Sequence, residues 1–205
     1  MIQIVIKWIG YTVFSIFLIV ACASTELKQT SMDEAYQGKL LSNILVIAVT
    51  DNPENRRSFE NKFVVRLKAT GIDAVSSGDG IPIPADQKLE KDAILKAVQQ
   101  FGNDAVIITH LVGVKETEVY NPAPRSYTGY YGYYGNVYGH VHGRGYYSTT
   151  SIVRLETNLY DAKTEKLIWS GQSETWNPES DKQTIDEVIK EVIKDLQKNK
   201  LIPTK

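Results

Sequence analysis

Apolar residues along this chain fall into three spacings, and each spacing predicts an element. Ile44 to Val49 is an unbroken apolar run between polar neighbours, the pattern of a strand buried on both faces. Asn52 followed by Pro53 then supplies a helix cap and a proline suited to the first helical position. Phe59, Phe63, Val64 and Leu67 recur at helical spacing until Gly71 ends the segment. Ile72 to Val75 reads as a short strand, and the Gly/Pro-rich stretch from Ser76 to Pro84 as a non-helical loop. Leu89, Ala93, Ile94, Ala97, Val98 and Phe101 line one face of a second helix closed by Gly102, and Ala105 to Ile108 opens another buried strand.

Beyond that point the spacing changes from helical to alternating. Val112, Val114 and Val119 prolong the third strand. Val153, Leu155 and Leu159 alternate with Arg154, Glu156 and Asn158, as in a strand with one wet face. Asp161 to Glu165 forms a turn, and Lys166 to Glu174 returns as the partner strand with Leu167 and Trp169. Ile185, Val188, Ile189, Val192, Ile193 and Leu196 make the stripe of an amphipathic helix docked on the sheet, with Glu187, Glu191 and Asp195 on its solvated side. The predicted fold is α/β (α+β): a mixed sheet of about five strands with three helices, in the order β-α-β-α-β-β-β-α. It occupies a single domain over 44–201, and the polar residues 22–43 read as a flexible tether ahead of it.

The chain has 205 residues and one cysteine, Cys22, which follows the apolar run Trp8 to Ala21. Lys7, that run and the small Ala21 have the layout of a secretory leader over 1–21. Ile19-Val20-Ala21-Cys22 resembles the lipobox of bacterial lipoproteins, with Ile where Leu is usual. The resemblance implies cleavage before Cys22 and a covalent lipid on its thiol, with no other cofactor. The competing reading is an uncleaved anchor, because the uncharged stretch Trp8 to Thr25, about 18 residues, reaches the lower limit for spanning a bilayer. A single thiol placed at the lipobox favours the lipoprotein, since a free thiol elsewhere is a redox liability in an oxidising envelope. In the sorting rule this motif resembles, Ala23 rather than Asp after the cysteine implies the outer membrane, periplasmic face.

Composition narrows the partners. With 23 basic against 24 acidic side chains, the chain lacks the positive excess that nucleic acid binding requires. One cysteine permits neither an internal disulfide nor a Cys-based zinc site. No Gly-x-Ser-x-Gly elbow, P-loop, dinucleotide glycine pattern or His-Glu-x-x-His is present, so a non-enzymatic role is expected. The element order, the lipobox and the phrase from Leu159 to Gly171, with its Leu-Tyr-Asp-Ala-Lys-Thr-Glu-Lys-Leu-Ile-Trp-Ser-Gly, resemble the small α/β domains of envelope lipoproteins such as the penicillin-binding-protein activators and the curli-secretion lipoproteins. That resemblance implies an accessory or scaffold in envelope assembly or maintenance.

Tyr120 to Tyr147 interleaves tyrosines with glycines, a composition that cannot build a core and suits a long loop or a hairpin extension. Tyrosine carries a large apolar face and a polar tip at low entropy cost. Tyr130, Tyr131, Tyr133, Tyr134, Tyr138 and Arg144 are therefore candidate contacts for another envelope protein, a glycan or the headgroup layer. His140 and His142, two apart, would face one side of an extended chain and form a candidate metal pair, with His110 a distant third ligand. A ligand- or metal-binding module built on this segment is the alternative to the scaffold.

Overall fold

The computed structural model describes residues 24–36, 39–81, 84, 87–121 and 146–204. Its strands are β1 (Ser24–Met32), β2 (Asn43–Val49), β3 (Asp73–Ser76), β4 (Ala105–Asn121), β5 (Tyr146–Asp161) and β6 (Leu167–Trp176). Its helices are α1 (Pro53–Ala69), the one-turn α2 (Ser77–Gly80), α3 (Lys91–Phe101) and α4 (Asp181–Lys198). The strands join in the order β1-β6-β5-β4-β2-β3. β2 lies parallel to both β3 and β4, while β4, β5, β6 and β1 pair antiparallel. The α/β class and the mixed sheet agree with the sequence pattern, and the sheet has one more strand than the five that pattern predicts.

The additional strand corrects the tether. Ser24–Met32 hydrogen-bonds along β6 from Ser24↔Trp176 to Met32↔Trp169. Leu27, Met32 and Tyr36 pack against the core, and Leu41 is buried within it. An edge strand needs only one hydrogen-bonding partner and a few inward side chains, so Glu26, Lys28 and Gln29 remain on its exposed positions. That composition reads as unstructured in the sequence. The sheet therefore includes Ser24–Met32, ahead of Ile44.

The two crossovers explain why β2 is apolar throughout. One runs from β2 to β3 through α1, and the other returns from β3 past β2 to β4 through α3. Right-handed connections running in opposite directions place their helices on opposite faces. Ile44, Val46 and Ala48 accordingly pack with Phe59, Phe63 and Leu67 of α1 and with α4. Leu45 and Ile47 pack on the other face with Ala97, Val98 and Phe101 of α3. Ile185, Val188, Ile189, Val192, Ile193 and Leu196 of α4 are all buried, each contributing about 1.5–3 kcal/mol.

Local signals work as their chemistry requires. The Asn52 side chain accepts the amides of Glu54 (2.9 Å) and Asn55 (3.2 Å), capping α1. Gly102, at φ 64°, closes α3 in the left-handed conformation. The stretch from Ser76 differs from its loop expectation, because Ser76 caps the single turn α2. That turn serves a buried carboxylate: Glu60 Oε1 accepts from the Ala48 amide (3.0 Å), Arg56 Nε (3.2 Å) and Ser77 Oγ (2.6 Å), and Glu60 Oε2 accepts from the Gly78 amide (3.0 Å). With every partner in place the charge is tolerated, and it fastens α1 to β2 and α2.

Asp195 also departs from the solvated role that its position suggests. Its Oδ2 accepts from the Trp169 indole N–H (2.8 Å) and from Asn199 Nδ2 (2.8 Å), so it joins α4 to β6. The fully buried Trp169 ring lies across Gly171, where an added Cβ would stand 2.5 Å from the ring. Gly171→Ala is expected to cost about 1–3 kcal/mol through this overlap, whereas Gly113→Ala, with nothing within 4 Å, avoids any such clash. Urea unfolding of both variants compares the two directly.

Candidate functional site

At one end of the sheet β2 stops at Val49, level with His110 of β4 and Gln29 of β1, while β4, β5, β6 and β1 run on beyond it; the amino ends of α1 and α4 lie at the same end. Between the two helix starts lies a cleft of about 320 Å³. Ala48, Phe59, Thr109, Leu155 and Ile185 line its interior, and Val49, Asp51, His110, Leu111, Val114 and Asp181 stand around its mouth. Asn55 Nδ2 donates to Asp181 Oδ2 (2.7 Å), bridging α1 to α4 across the opening. Both helices lie on the same face of the sheet, and the cleft opens between them beside the end of β2.

The chemistry of the cleft is apolar with an acidic rim. Helix starts ordinarily offer amides to an anion. Here the Asn52 side chain takes the Glu54 and Asn55 amides, and Ser180 Oγ accepts the Gln183 amide (3.2 Å). Asp51, Glu54 and Asp181 add negative charge to the same end. The arrangement suits an apolar group with a neutral or cationic neighbour and opposes a phosphate or carboxylate. The rim is apolar as well: Val49 is 56% exposed, Leu111 50%, Val112 50% and Val114 55%. A β-bulge between Leu111 and Gly113 shifts the register there.

On the opposite face of the sheet, β4, β5 and β6 carry polar side chains. His110 pairs in register with Glu156, and Arg154 Nε donates to Glu174 Oε1 (2.6 Å). Glu156 accepts from Asn158 Nδ2 (2.8 Å) and Gln172 Nε2 (3.2 Å). The Asn158 and Gln172 hydrogen bonds, with a smaller contribution from His110, outweigh desolvation and hold the Glu156 carboxyl below its ordinary 4.5. Two other cavities, of about 480 and 430 Å³, lie along α3 and share Leu89, Ile94 and Ile108.

Of the residues proposed from sequence, Cys22, Tyr130, Tyr131, Tyr133, Tyr134, Tyr138, His140, His142 and Arg144 lie outside the described residues. The described flanks of the Tyr/Gly segment pair as a hairpin, up to Tyr120↔Tyr147 and Asn121↔Tyr146. Among the described residues no three or more His, Cys, Asp or Glu side chains are placed to hold a metal, and no helix is long and apolar enough to cross a membrane. Sequence reasoning missed the cleft, whose walls come from segments far apart in the chain. The one local signal was Val112 and Val114, which read as a continuation of the third strand and are exposed together with Leu111.

Described as a class, the molecule is a small α/β domain with one mixed sheet. No family model matches the chain, and no curated protein matches it. Among solved structures it is similar to the PelC dodecamer from Paraburkholderia phytofirmans, at 13% identity and a TM-score of 0.48, covering 89% of this chain and 100% of that one. It is also similar to lipoprotein GNA1162 from Neisseria meningitidis, at 17% identity and a TM-score of 0.41, covering 77% and 99%.

Two expectations follow from the geometry. Thr109 and Thr157 share a buried hydroxyl hydrogen bond of 2.9 Å at the inner end of the cleft. Thr109→Val alone strands the Thr157 hydroxyl and is expected to cost about 1–3 kcal/mol, while the double change to valine recovers much of that loss; a double-mutant cycle by urea unfolding measures it. Because the Glu156 carboxyl titrates lower folded than unfolded, its contribution to stability is complete above the ordinary glutamate range and is lost as pH falls through the depressed folded value. Glu156→Gln should therefore lose less stability than the parent on acidification from about pH 6 to pH 3, as followed by unfolding at each pH.

Proposed function

We propose that this chain is a lipid-anchored envelope protein that acts by binding, as a non-enzymatic accessory or scaffold in envelope assembly or maintenance. Cys22 is its lipid attachment point, the outer membrane's periplasmic face is its location, and another envelope protein or a glycan is its partner. The observation that supports this most is the apolar cleft with its exposed rim of Val49, Leu111, Val112 and Val114, on the end of the domain where Ser24 begins. A rim of this kind suits a partner's apolar side chains, with the acidic positions choosing among them. The strands β4 and β5 that flank the Tyr/Gly segment run on beyond the same end, to the Asn121↔Tyr146 pair.

The test is a photoreactive residue at Leu111, compared with one at Lys163 on the β5–β6 turn, in cells carrying the full chain. The expected result is a discrete adduct with one envelope protein or glycan from Leu111 and none from Lys163. The same adduct from both positions, or from neither, would overturn the cleft as the contact surface. Substituting Val114→Asp should reduce the Leu111 adduct about tenfold while leaving stability within about 0.5 kcal/mol, since exposed positions carry little of the fold.

A further inference from the structure

Strand register places the lipid attachment against one particular end of the sheet. Across it run two adjacent rows: Ser24, Trp176, Ile152 and Lys115, then Thr25, Thr175, Val153 and Val114. Ser24 follows Cys22 by two residues, and two extended residues span only about 7 Å. A lipidated Cys22 therefore leaves no tether, and the Ser24 end of the sheet is held within the depth of the headgroup region. The side chains at that end suit such a position. Trp176, paired directly with Ser24, is 37% exposed, and Val114, in the next row and on the other face of the sheet, is 55% exposed. Tryptophan settles at membrane interfaces because its ring is apolar and its N–H polar.

We propose that this end of the domain rests on the lipid headgroup layer, with Trp176 at the interface and the cleft opening toward the bilayer. The β4–β5 ribbon runs on from the Lys115↔Ile152 pair to Asn121↔Tyr146, about 20 Å further. Glu116 and Glu118 are exposed on it, and their charge keeps the ribbon along the surface rather than in hydrocarbon. The twist between successive strands turns β4 away from the direction of β1, which permits that course. A partner of the cleft is then met at the membrane surface.

The inference rests on lipidation of Cys22, and the experiment separates the two. The full chain, processed in a bacterial envelope, is weighed intact and reconstituted in phosphatidylethanolamine and phosphatidylglycerol vesicles, with and without phosphatidylcholine brominated near the headgroup end of its acyl chains. Leader removal takes away Trp8 and leaves Trp169, which is fully buried, and Trp176. Bromolipid is expected to quench the Trp176 emission about twofold. Trp176→Phe should abolish that quenching, and adding Val114→Trp to that variant should restore it. Acylated protein whose emission is indifferent to bromolipid, or quenched equally in the Trp176→Phe variant, would overturn the orientation. A mass that retains Met1 and carries no acyl group would instead overturn the anchor reading, and the orientation with it.

Discussion

The parallel pairing of β2 with β4 is the constraint on which the rest of the molecule depends. It requires β2 to be covered on both faces, and Ile44 through Ala48 meet that requirement with alternate side chains directed to α1 and α4 or to α3. It also requires two long crossovers, because parallel neighbours cannot be joined by a tight turn. Those crossovers leave on opposite faces; the first, α1, covers one face together with the C-terminal helix α4, and the space between the amino ends of those two helices is the cleft. The helices that bury one face of the central strand thus also wall the site.

The polar interior reinforces the same pair. Glu60 reaches from α1 to the Ala48 amide on β2 and to Ser77 and Gly78 beyond β3, with Arg56 beside it. A hydrophobic side chain at Glu60 would bury comfortably but would not select this register. The carboxylate satisfies particular amides and so rewards one arrangement over its neighbours. Trp169 does the equivalent for α4: the indole lies over Gly171 and donates to Asp195, fixing both the height and the rotation of the helix on the sheet.

Elements whose burial has a period were legible in the sequence. The run at Ile44, the stripe of α4 and the alternation after Val153 each encode burial directly, and each forms where expected. β1 was not legible, because an edge strand with Glu26 and Lys28 outward has the composition of a linker; its partner β6 decides its conformation. Asp195 looked solvated because its partners, Trp169 and Asn199, are on another strand and beyond the helix end. The cleft was illegible for a related reason: Phe59, Thr109, Leu155 and Ile185 meet only after the sheet has assembled. Local pattern reports how a segment is buried and says little about what it is buried against.

The two ends of the sheet differ in a way that bears on function. At the far end the connections are short and internally satisfied. Asp104 accepts from the Ser42 amide and hydroxyl and the Asn43 amide, Asp161 closes its turn through Lys163 and Thr164, and Leu201 and Ile202 fold back into the core. Burial opposes ionisation of Asp161, yet the Thr164 hydroxyl and amide, with Lys39 and the Lys163 amide, outweigh it and keep its carboxyl below the ordinary value. The open surface at that end, among the described residues, is the cavity of about 480 Å³ beside Tyr160, Asp161 and Glu165, with Leu40 and Leu167 exposed. The near end keeps an open cleft, exposed valines and an exposed tryptophan, and it is where the ribbon projects and the chain leading to Cys22 enters. The near end differs from the far one in combining its cleft with the projecting ribbon and the entering chain, and apolar surface exposed at such a place is consistent with selection for contact there.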